Sequence, residues 1–104
     1  MLEITSKKNK EGQVIYECYT FKDCITAQKY YYPSESSILH RNSSEGPALV
    51  LFYYPSGEIL CEKYYHLGKL HRSSEEGPAL IRYLKDGRID KVEFWVYGEI
   101  EEKF

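Results

Sequence analysis

Apolar residues in this chain fall in short runs that are bounded by glycine and proline. The run over 91–97 alternates, because Val92, Phe94 and Val96 fall between Lys91, Glu93, Trp95 and Tyr97. A period of two residues, with tyrosine, valine, isoleucine and phenylalanine dominant, is typical of β-strands. A helical stripe is found nowhere, and 23–32 is the least unlikely helix. The pattern predicts an all-β protein.

The turn signals predict how these strands connect. Lys85-Asp86-Gly87-Arg88 carries the Asp-Gly pair of a two-residue hairpin turn. Pro55-Ser56-Gly57 predicts a longer loop whose glycine has positive φ. Short loops between successive strands favour an antiparallel meander, so we expect one elongated, twisted or curled sheet of about seven to nine strands. We expect one face of that sheet to be strongly apolar.

One stretch of the sequence is written twice. Residues 39–49 read LHRNSSEGPAL and residues 70–80 read LHRSSEEGPAL. A spacing of about 20–50 residues between copies is typical of repeat architectures. We therefore divide the single domain of 104 residues into a degenerate repeat at about 12–41, a repeat at about 46–72 and a terminal repeat at about 77–104.

The C-terminal segment departs from the repeated pattern. After Gly98 the chain reads Glu99-Ile100-Glu101-Glu102-Lys103-Phe104, so two glutamates stand where the copies have His-Arg. A charged edge discourages further strand addition. We expect this segment to cap the sheet and to close a complete small protein.

Composition narrows the functional classes. The chain is 42% hydrophobic and 29% charged, with eleven tyrosines and a formal net charge of −2. A mildly acidic protein is a poor general binder of nucleic acids and anionic membranes, so we expect no nucleic-acid partner and consider membrane association unlikely. Cys18, Cys24 and Cys61 lack the spacing of zinc ligands, and no run has signal-peptide length. We expect a cytoplasmic protein with reduced cysteines and no metal or cofactor.

The second copy and its approach resemble a known repeat. Tyr65-His66-Leu67-Gly68-Lys69-Leu70-His71-Arg72, followed by Gly77-Pro78-Ala79, is similar to the divergent MORN-like β-hairpin repeats of bacterial and large-virus proteins. The resemblance covers about residues 38–100. It implies an elongated sheet of hairpins that mediates binding, in some cases in toxin–antitoxin or effector systems, and it implies no family-wide catalytic activity.

The repeated His-Arg pairs are the candidate chemistry. Histidine is a common general base, and arginine binds phosphate or carboxylate. We interpret both pairs as structural, bonded to the backbone of the serine-rich loop, with each arginine paired to Glu45 or to Glu75 or Glu76. The Gly-Pro-Ala triplets are interpreted as architectural too. The structural motif therefore comprises His40, Arg41, Gly46, Pro47, His71, Arg72, Gly77 and Pro78.

Aromatic side chains are the candidate binding surface. Rings at equivalent strand positions are expected to line one face, where they would anchor a protein partner. The candidates are Trp95, Tyr97, Tyr64, Tyr65 and Tyr31. We expect a non-enzymatic module that binds another protein, as an adaptor or an antitoxin- or immunity-like inhibitor. A homo-oligomer is a further option that the sequence leaves open. The alternatives are a small hydrolase or nuclease that uses the His-Arg pairs, and a membrane-associated module.

Overall fold

The computed structural model describes residues 1–33 and 35–101; the side chains of residues 35–37 lie outside that description. The regular elements of the described chain are β-strands, so the predicted all-β class is confirmed. The strands are β1 Leu2–Lys8, β2 Val14–Phe21, β3 Cys24–Tyr32, β4 Glu35–Leu39, β5 Leu49–Phe52, β6 Ile59–Lys63, β7 Tyr65–His66, β8 Lys69–Leu70, β9 Leu80–Tyr83, β10 Ile89–Val96 and β11 Glu99–Glu101. The region proposed as the least unlikely helix is strand β3.

The predicted antiparallel meander is also confirmed. Hydrogen-bonded neighbours follow the order β1-β2-β3-β5-β6-β9-β10-β11, and every pairing is antiparallel. Strand β4 pairs with β3 beside this path, and β7 and β8 form a separate two-stranded hairpin. The order begins at β1 and ends at β11, so the sheet is open.

Three long stretches of strand change partner midway. Strand β3 pairs with β5 through Ala27–Lys29 and with β4 through Tyr31 and Tyr32. Strand β6 pairs with β9, and its continuation β7 pairs with β8. Strand β10 pairs with β9 first and with β11 from Phe94 onward. Three residues consequently occupy equivalent register positions opposite Leu39, Leu70 and Ile100: Tyr31, Tyr65 and Trp95.

The turns differ from prediction at one place. The amide of Leu84 donates to the carbonyl of Arg88 at 2.7 Å, and the amide of Gly87 donates to that of Leu84 at 2.9 Å. This is a three-residue loop that ends on Gly87 at φ 94°, so the predicted two-residue turn at Asp86-Gly87 is wrong. The extra residue places the glycine after a tight turn, where it forms a bulge. Gly57 has φ 88°, as predicted.

The molecule is thin. Its principal extents are 43 × 34 × 18 Å, and no large side chain in the described residues is fully buried.

Buried residues also lie on both faces of the sheet. Ala27 and Cys61 flank Leu51 in one row of cross-strand partners, whereas Val50 belongs to the neighbouring row. Adjacent residues of a strand point to opposite faces, so the expected single apolar face is not found. The small buried residues leave much apolar surface in contact with solvent.

Candidate functional site

The repeated motif forms a corner between two strands, and we call it the corner motif: His-Arg, then Gly-Pro-Ala, in each copy. Its arginine lies over a tyrosine ring. The guanidinium carbon of Arg41 lies 3.8 Å from the ring centroid of Tyr30, and Nη1 donates to the carbonyl of Pro47 at 3.2 Å. A cation over an aromatic face is stabilised by the ring quadrupole. The arginine therefore joins β3 to the loop that leads into β5.

The second copy repeats these contacts. Arg72 lies 4.0 Å from the ring centroid of Tyr64, and its Nη1 donates to the carbonyl of Pro78 at 3.2 Å. The Nε of Arg72 is buried without a hydrogen-bond partner. We expected glutamates as partners of both arginines, and the structure corrects this, because each guanidinium instead contacts a ring and a carbonyl. Arginine suits this site, because its flat guanidinium stacks on the tyrosine ring and donates a hydrogen bond to the proline carbonyl at the same time.

Glycine precedes the proline because the guanidinium occupies the space of a side chain. A Cβ added to Gly46 would lie 2.8 Å from Nη1 of Arg41, and one added to Gly77 would lie 2.8 Å from Nη1 of Arg72. Both glycines also have positive φ, 132° and 141°, which L-residues rarely adopt. The loop can approach the arginine only without a side chain at this position.

The alanine of each triplet holds the long strands together. Ala79 is fully buried; its amide donates to the carbonyl of Glu93 at 2.9 Å, and its carbonyl accepts from the amide of Tyr64 at 2.8 Å. Ala48 makes the same two bonds, to Lys63 at 3.0 Å and from Tyr30 at 2.8 Å. Each alanine thus bridges two strands just before β9 or β5 begins.

The histidines secure the turns of the following hairpins. Nδ1 of His40 accepts the amide of Leu67 at 3.0 Å, and Nδ1 of His71 accepts the amide of Tyr97 at 2.9 Å. Leu67 and Tyr97 both have positive φ, so each bond holds a strained turn. A ring that accepts at Nδ1 carries its proton on Nε2. Burial and the charge of nearby His66 lower the pKa of both histidines, and Glu76 partly opposes this at His71.

The three histidines form a column, in which His66 lies between the other two. Its ring centroid is 5.0 Å from that of His40 and 5.7 Å from that of His71. Tyr97 stacks on His71 at 4.0 Å and closes one end. A cavity of about 250 Å³ is lined by His40, Arg41, Asn42, Ser43, Tyr65, His66 and His71. His66 thus connects the two repeated histidines in one column.

His66 has no counterpart in the other copies, which is why sequence comparison missed it. Its register equivalents are Tyr32, next to Tyr31, and Val96, next to Trp95. The sequence signal that could have identified His66 is its position two residues before Gly68. It adjoins the turn residue Leu67, whose amide donates to His40. A functional residue that occurs in only one repeat is recognised from its contacts in space and not from the alignment of the repeats.

The column is poorly suited to metal binding. In the part of the chain that the structure describes, no group of three or more His, Cys, Asp or Glu is arranged to hold a metal ion. A metal on Nε2 usually needs a proton on Nδ1. In His40 and His71 that atom accepts a backbone amide.

The candidate aromatic residues do not share one exposed face. Tyr64 is buried beneath Arg72, so its assignment to a binding surface is wrong. Tyr31 is half-buried and donates to Oε1 of Glu17 at 2.6 Å; burial and this bond raise its pKa. Tyr65 and Trp95 are half-buried at equivalent positions, and Trp95 donates to Glu93 at 3.0 Å. Tyr97 is 61% exposed. Most of these rings pack within the sheet.

A groove on the sheet was not predicted. It encloses about 480 Å³, and its lining residues are Leu51, Tyr53, Leu60, Cys61, Lys63, Leu80, Arg82, Leu84, Asp90 and Lys91. Leucines supply the apolar part, and burial raises the pKa of the Cys61 thiol, which keeps it neutral. Three cations and one carboxylate supply the charges. Arg82 lies 3.4 Å from Asp90, and Lys91 lies 3.0 Å from Glu93 beside the groove. The three cations therefore face two carboxylates, which leaves one positive charge in excess.

Comparisons with known proteins identify no relative of this chain. No family model, no curated protein and no solved structure matches the chain. Across the described residues there is also no helix of the length and apolarity that crossing a membrane requires.

Proposed function

We propose that this protein is a non-enzymatic interaction module of MORN-like β-hairpin repeats that binds another protein in the cytoplasm. The role is that of an adaptor or of an antitoxin- or immunity-like inhibitor. The observation that carries the proposal is the groove: an apolar floor with a positive rim on the face of a thin sheet. The corner motif supports it, since His40, Arg41, His71 and Arg72 are engaged in holding strands and turns.

The groove favours one kind of partner. Its leucines offer apolar contact, and Leu84 remains 36% exposed. The rim cations Lys63, Arg82 and Lys91 outnumber the two carboxylates beside them, Asp90 and Glu93, by one. Complementary charge selects partners and speeds association. The partner segment therefore has apolar anchor residues flanked by aspartate or glutamate. Most of the binding free energy comes from burial of the anchors, and the charges supply specificity.

A binding assay with defined peptides tests this. The probe is a fluorescent peptide with two leucines or phenylalanines flanked by glutamates, and its counterpart has lysines in place of the glutamates. Fluorescence anisotropy should show the acidic peptide binding at least tenfold more tightly than the basic one. Leu84→Glu should weaken binding at least tenfold, because it removes an anchor contact and repels the acidic flanks.

A matched variant controls for the added charge. Ile25 is 40% exposed on β3 and does not line the groove, so Ile25→Glu should leave peptide affinity within about twofold. Equal weakening by both variants, or equal binding of both peptides, would contradict the groove as the binding site. Failure of every acidic peptide to bind would contradict the partner chemistry.

The alternative function is a hydrolase or nuclease that uses the two His-Arg pairs. The observation in its favour is that His40 and His71 line one cavity with Arg41 and His66. Against it, a general base needs a free lone pair, and Nδ1 of both histidines already accepts an amide. Replacing His40 and His71 with asparagine while far-UV circular dichroism is unchanged separates the two functions. Loss of a turnover activity would support the enzyme; retained peptide binding would support the module.

A further inference from the structure

The cavity beside the three histidines lies between the two copies of the corner motif. The first copy contributes His40, Arg41, Asn42 and Ser43 to its lining, and the second copy contributes His71. Strand β7, which lies between the copies in the chain, supplies the rest of the lining. A ligand in this cavity would contact both copies at once, so the site is one that a single repeat does not form.

The turn bonds make two of the lining rings hydrogen-bond donors. Nδ1 of His40 accepts the amide of Leu67, and Nδ1 of His71 accepts the amide of Tyr97. The proton of each neutral ring is then on Nε2, on the side of the ring that faces away from the turn amide. Because both rings line the cavity, the backbone fixes an N–H donor on two of its walls.

The other polar side chains of the lining are also rich in donors. Oδ1 of Asn42 accepts the amide and the hydroxyl of Ser44 at 3.0 and 2.8 Å, which leaves its NH2 group for another partner. Nη1 of Arg41 donates to the carbonyl of Pro47, and the guanidinium carries further N–H groups. The ring of His66 adds one N–H donor in either neutral tautomer.

The charges around the cavity favour a negative ligand. Arg41 supplies a permanent positive charge, and the described residues that line the cavity include no carboxylate. Glu76 lies beside the cavity, where its two oxygens accept from the hydroxyl of Ser43 at 3.1 and 3.2 Å. Donors on several walls suit a tetrahedral anion, whose acceptor oxygens point in several directions, better than a planar carboxylate.

We propose that this cavity binds a phosphate group, either as the free ion or as part of a small phosphomonoester. Its donors are the Nε2–H groups of His40 and His71, the NH2 group of Asn42 and the guanidinium of Arg41. The carboxylate of Glu76 weakens binding through repulsion. The site shares no residue with the groove, so it is independent of the proposed peptide binding.

A titration followed by nuclear magnetic resonance of the histidine rings tests the proposal. The probes are sodium phosphate, glycerol phosphate and sodium acetate, compared at one pH and one ionic strength. Phosphate should shift the Nε2 resonances of His40 and His71 saturably, and acetate should bind about tenfold more weakly. Tighter binding of glycerol phosphate than of phosphate would identify the ester as the preferred form, and the reverse order would identify the free ion.

Three variants test the individual donors and charges. His71→Asn keeps an oxygen for the amide of Tyr97 but removes Nε2–H, so phosphate affinity should fall about fivefold. Asn42→Asp keeps the oxygen that accepts from its own loop and replaces the NH2 group with a negative charge, so affinity should fall about tenfold or more. Glu76→Gln keeps an acceptor for Ser43 and removes a negative charge, so affinity should rise about threefold.

Two variants outside the cavity control for added charge. Ile25→Glu on β3 and Leu84→Glu in the groove should leave phosphate affinity within about twofold. Far-UV circular dichroism checks that the variants fold, and Glu76→Gln changes an exposed residue and so tests the site if another variant does not fold. Asn42→Asp should leave peptide binding in the groove unchanged, which separates the two sites.

Three results would overturn the proposal. The first is that phosphate and glycerol phosphate give no saturable shift at His40 and His71. The second is that acetate binds as tightly as phosphate, which would show an unselective polar cavity. The third is that Asn42→Asp weakens phosphate binding no more than Ile25→Glu does, which would place the bound anion elsewhere on the protein.

Discussion

The two copies of the corner motif make the same contacts, whereas the segment that aligns with them at β11 has a different sequence. The cation-to-ring distances are 3.8 and 4.0 Å, and both arginine-to-proline hydrogen bonds are 3.2 Å. At the third position, Ile100 aligns with Leu39 and Leu70, and Glu101 aligns with the histidines.

The agreement between the two copies indicates what the motif does. Where the motif is present, a new strand returns to the long strand before it, as β5 does to β3 and β9 to β6. In both copies the returning strand begins directly after the Gly-Pro-Ala triplet. The motif thus acts as a corner that brings the chain back, and its arginine, glycine and alanine each make a different contact at that corner.

The largest expected effect comes from the motif glycine. Gly77→Ala introduces a Cβ 2.8 Å from Nη1 of Arg72 at φ 141°, so it should lower the free energy of unfolding by about 3 kcal/mol. Gly87→Ala is the matched control, with φ 94° and nothing within 4 Å of the added Cβ. It should cost about 1 kcal/mol. Urea unfolding of both variants measures the difference, and equal losses would contradict the packing of arginine against Gly77.

The arginine itself comes next. Arg72→Lys removes the flat group that stacks on Tyr64 and also donates to Pro78, and lysine does not replace both contacts. We expect a loss of about 2 kcal/mol in the free energy of unfolding. Arg41→Lys should cost about the same, because its contacts match. Chemical denaturation tests this, and a loss in one copy without the other would break the equivalence of the two corners.

A smaller effect is expected from acid. The pKa values of His40 and His71 are lowered, mainly by burial and then by the charge of His66. The unfolded chain therefore binds protons first, near the ordinary histidine pKa of about 6.5, and the protein loses stability as the pH falls below that value. Protonated Nδ1 also cannot accept the turn amides. Melting temperatures between pH 8 and pH 5 should decline.

The control for this experiment replaces both rings. In His40→Asn with His71→Asn, the amide oxygen can accept the same backbone N–H without titrating. The double variant should show a shallower decline of melting temperature with pH. A decline identical to that of wild type would assign the acid sensitivity to other groups.

Sequence reasoning recovered the strand order because it depends on local signals. The alternation of apolar and polar residues over 91–97 locates a strand, and Gly57 and Gly68 locate turns. Neither signal requires knowledge of contacts that are distant in sequence. It did not recover the partner of either arginine. Tyr30 precedes Arg41 by 11 residues and Tyr64 precedes Arg72 by 8, so the two pairs have no common spacing to notice. Strand β1 was missed because it lies outside the repeated pattern.

The candidate site was less predictable than the fold. The groove joins residues as distant as Leu51 and Leu84, which meet only because three strands lie side by side. Tyr64 was misassigned because its neighbour Tyr65 looks identical in sequence but points to the other face. The alternation of residues assigns them to faces of the sheet only after the positions at which the long strands change partner are known.

Amide hydrogen exchange tests the corner most directly. The amide of Tyr64 donates to Ala79 and that of Tyr30 donates to Ala48, each at 2.8 Å. Substitution Arg72→Met should accelerate exchange at Tyr64 at least tenfold and leave Tyr30 nearly unchanged, and Arg41→Met should give the reverse. If both amides stay protected in both variants, the arginines do not hold the returning strands, and the corner account is wrong.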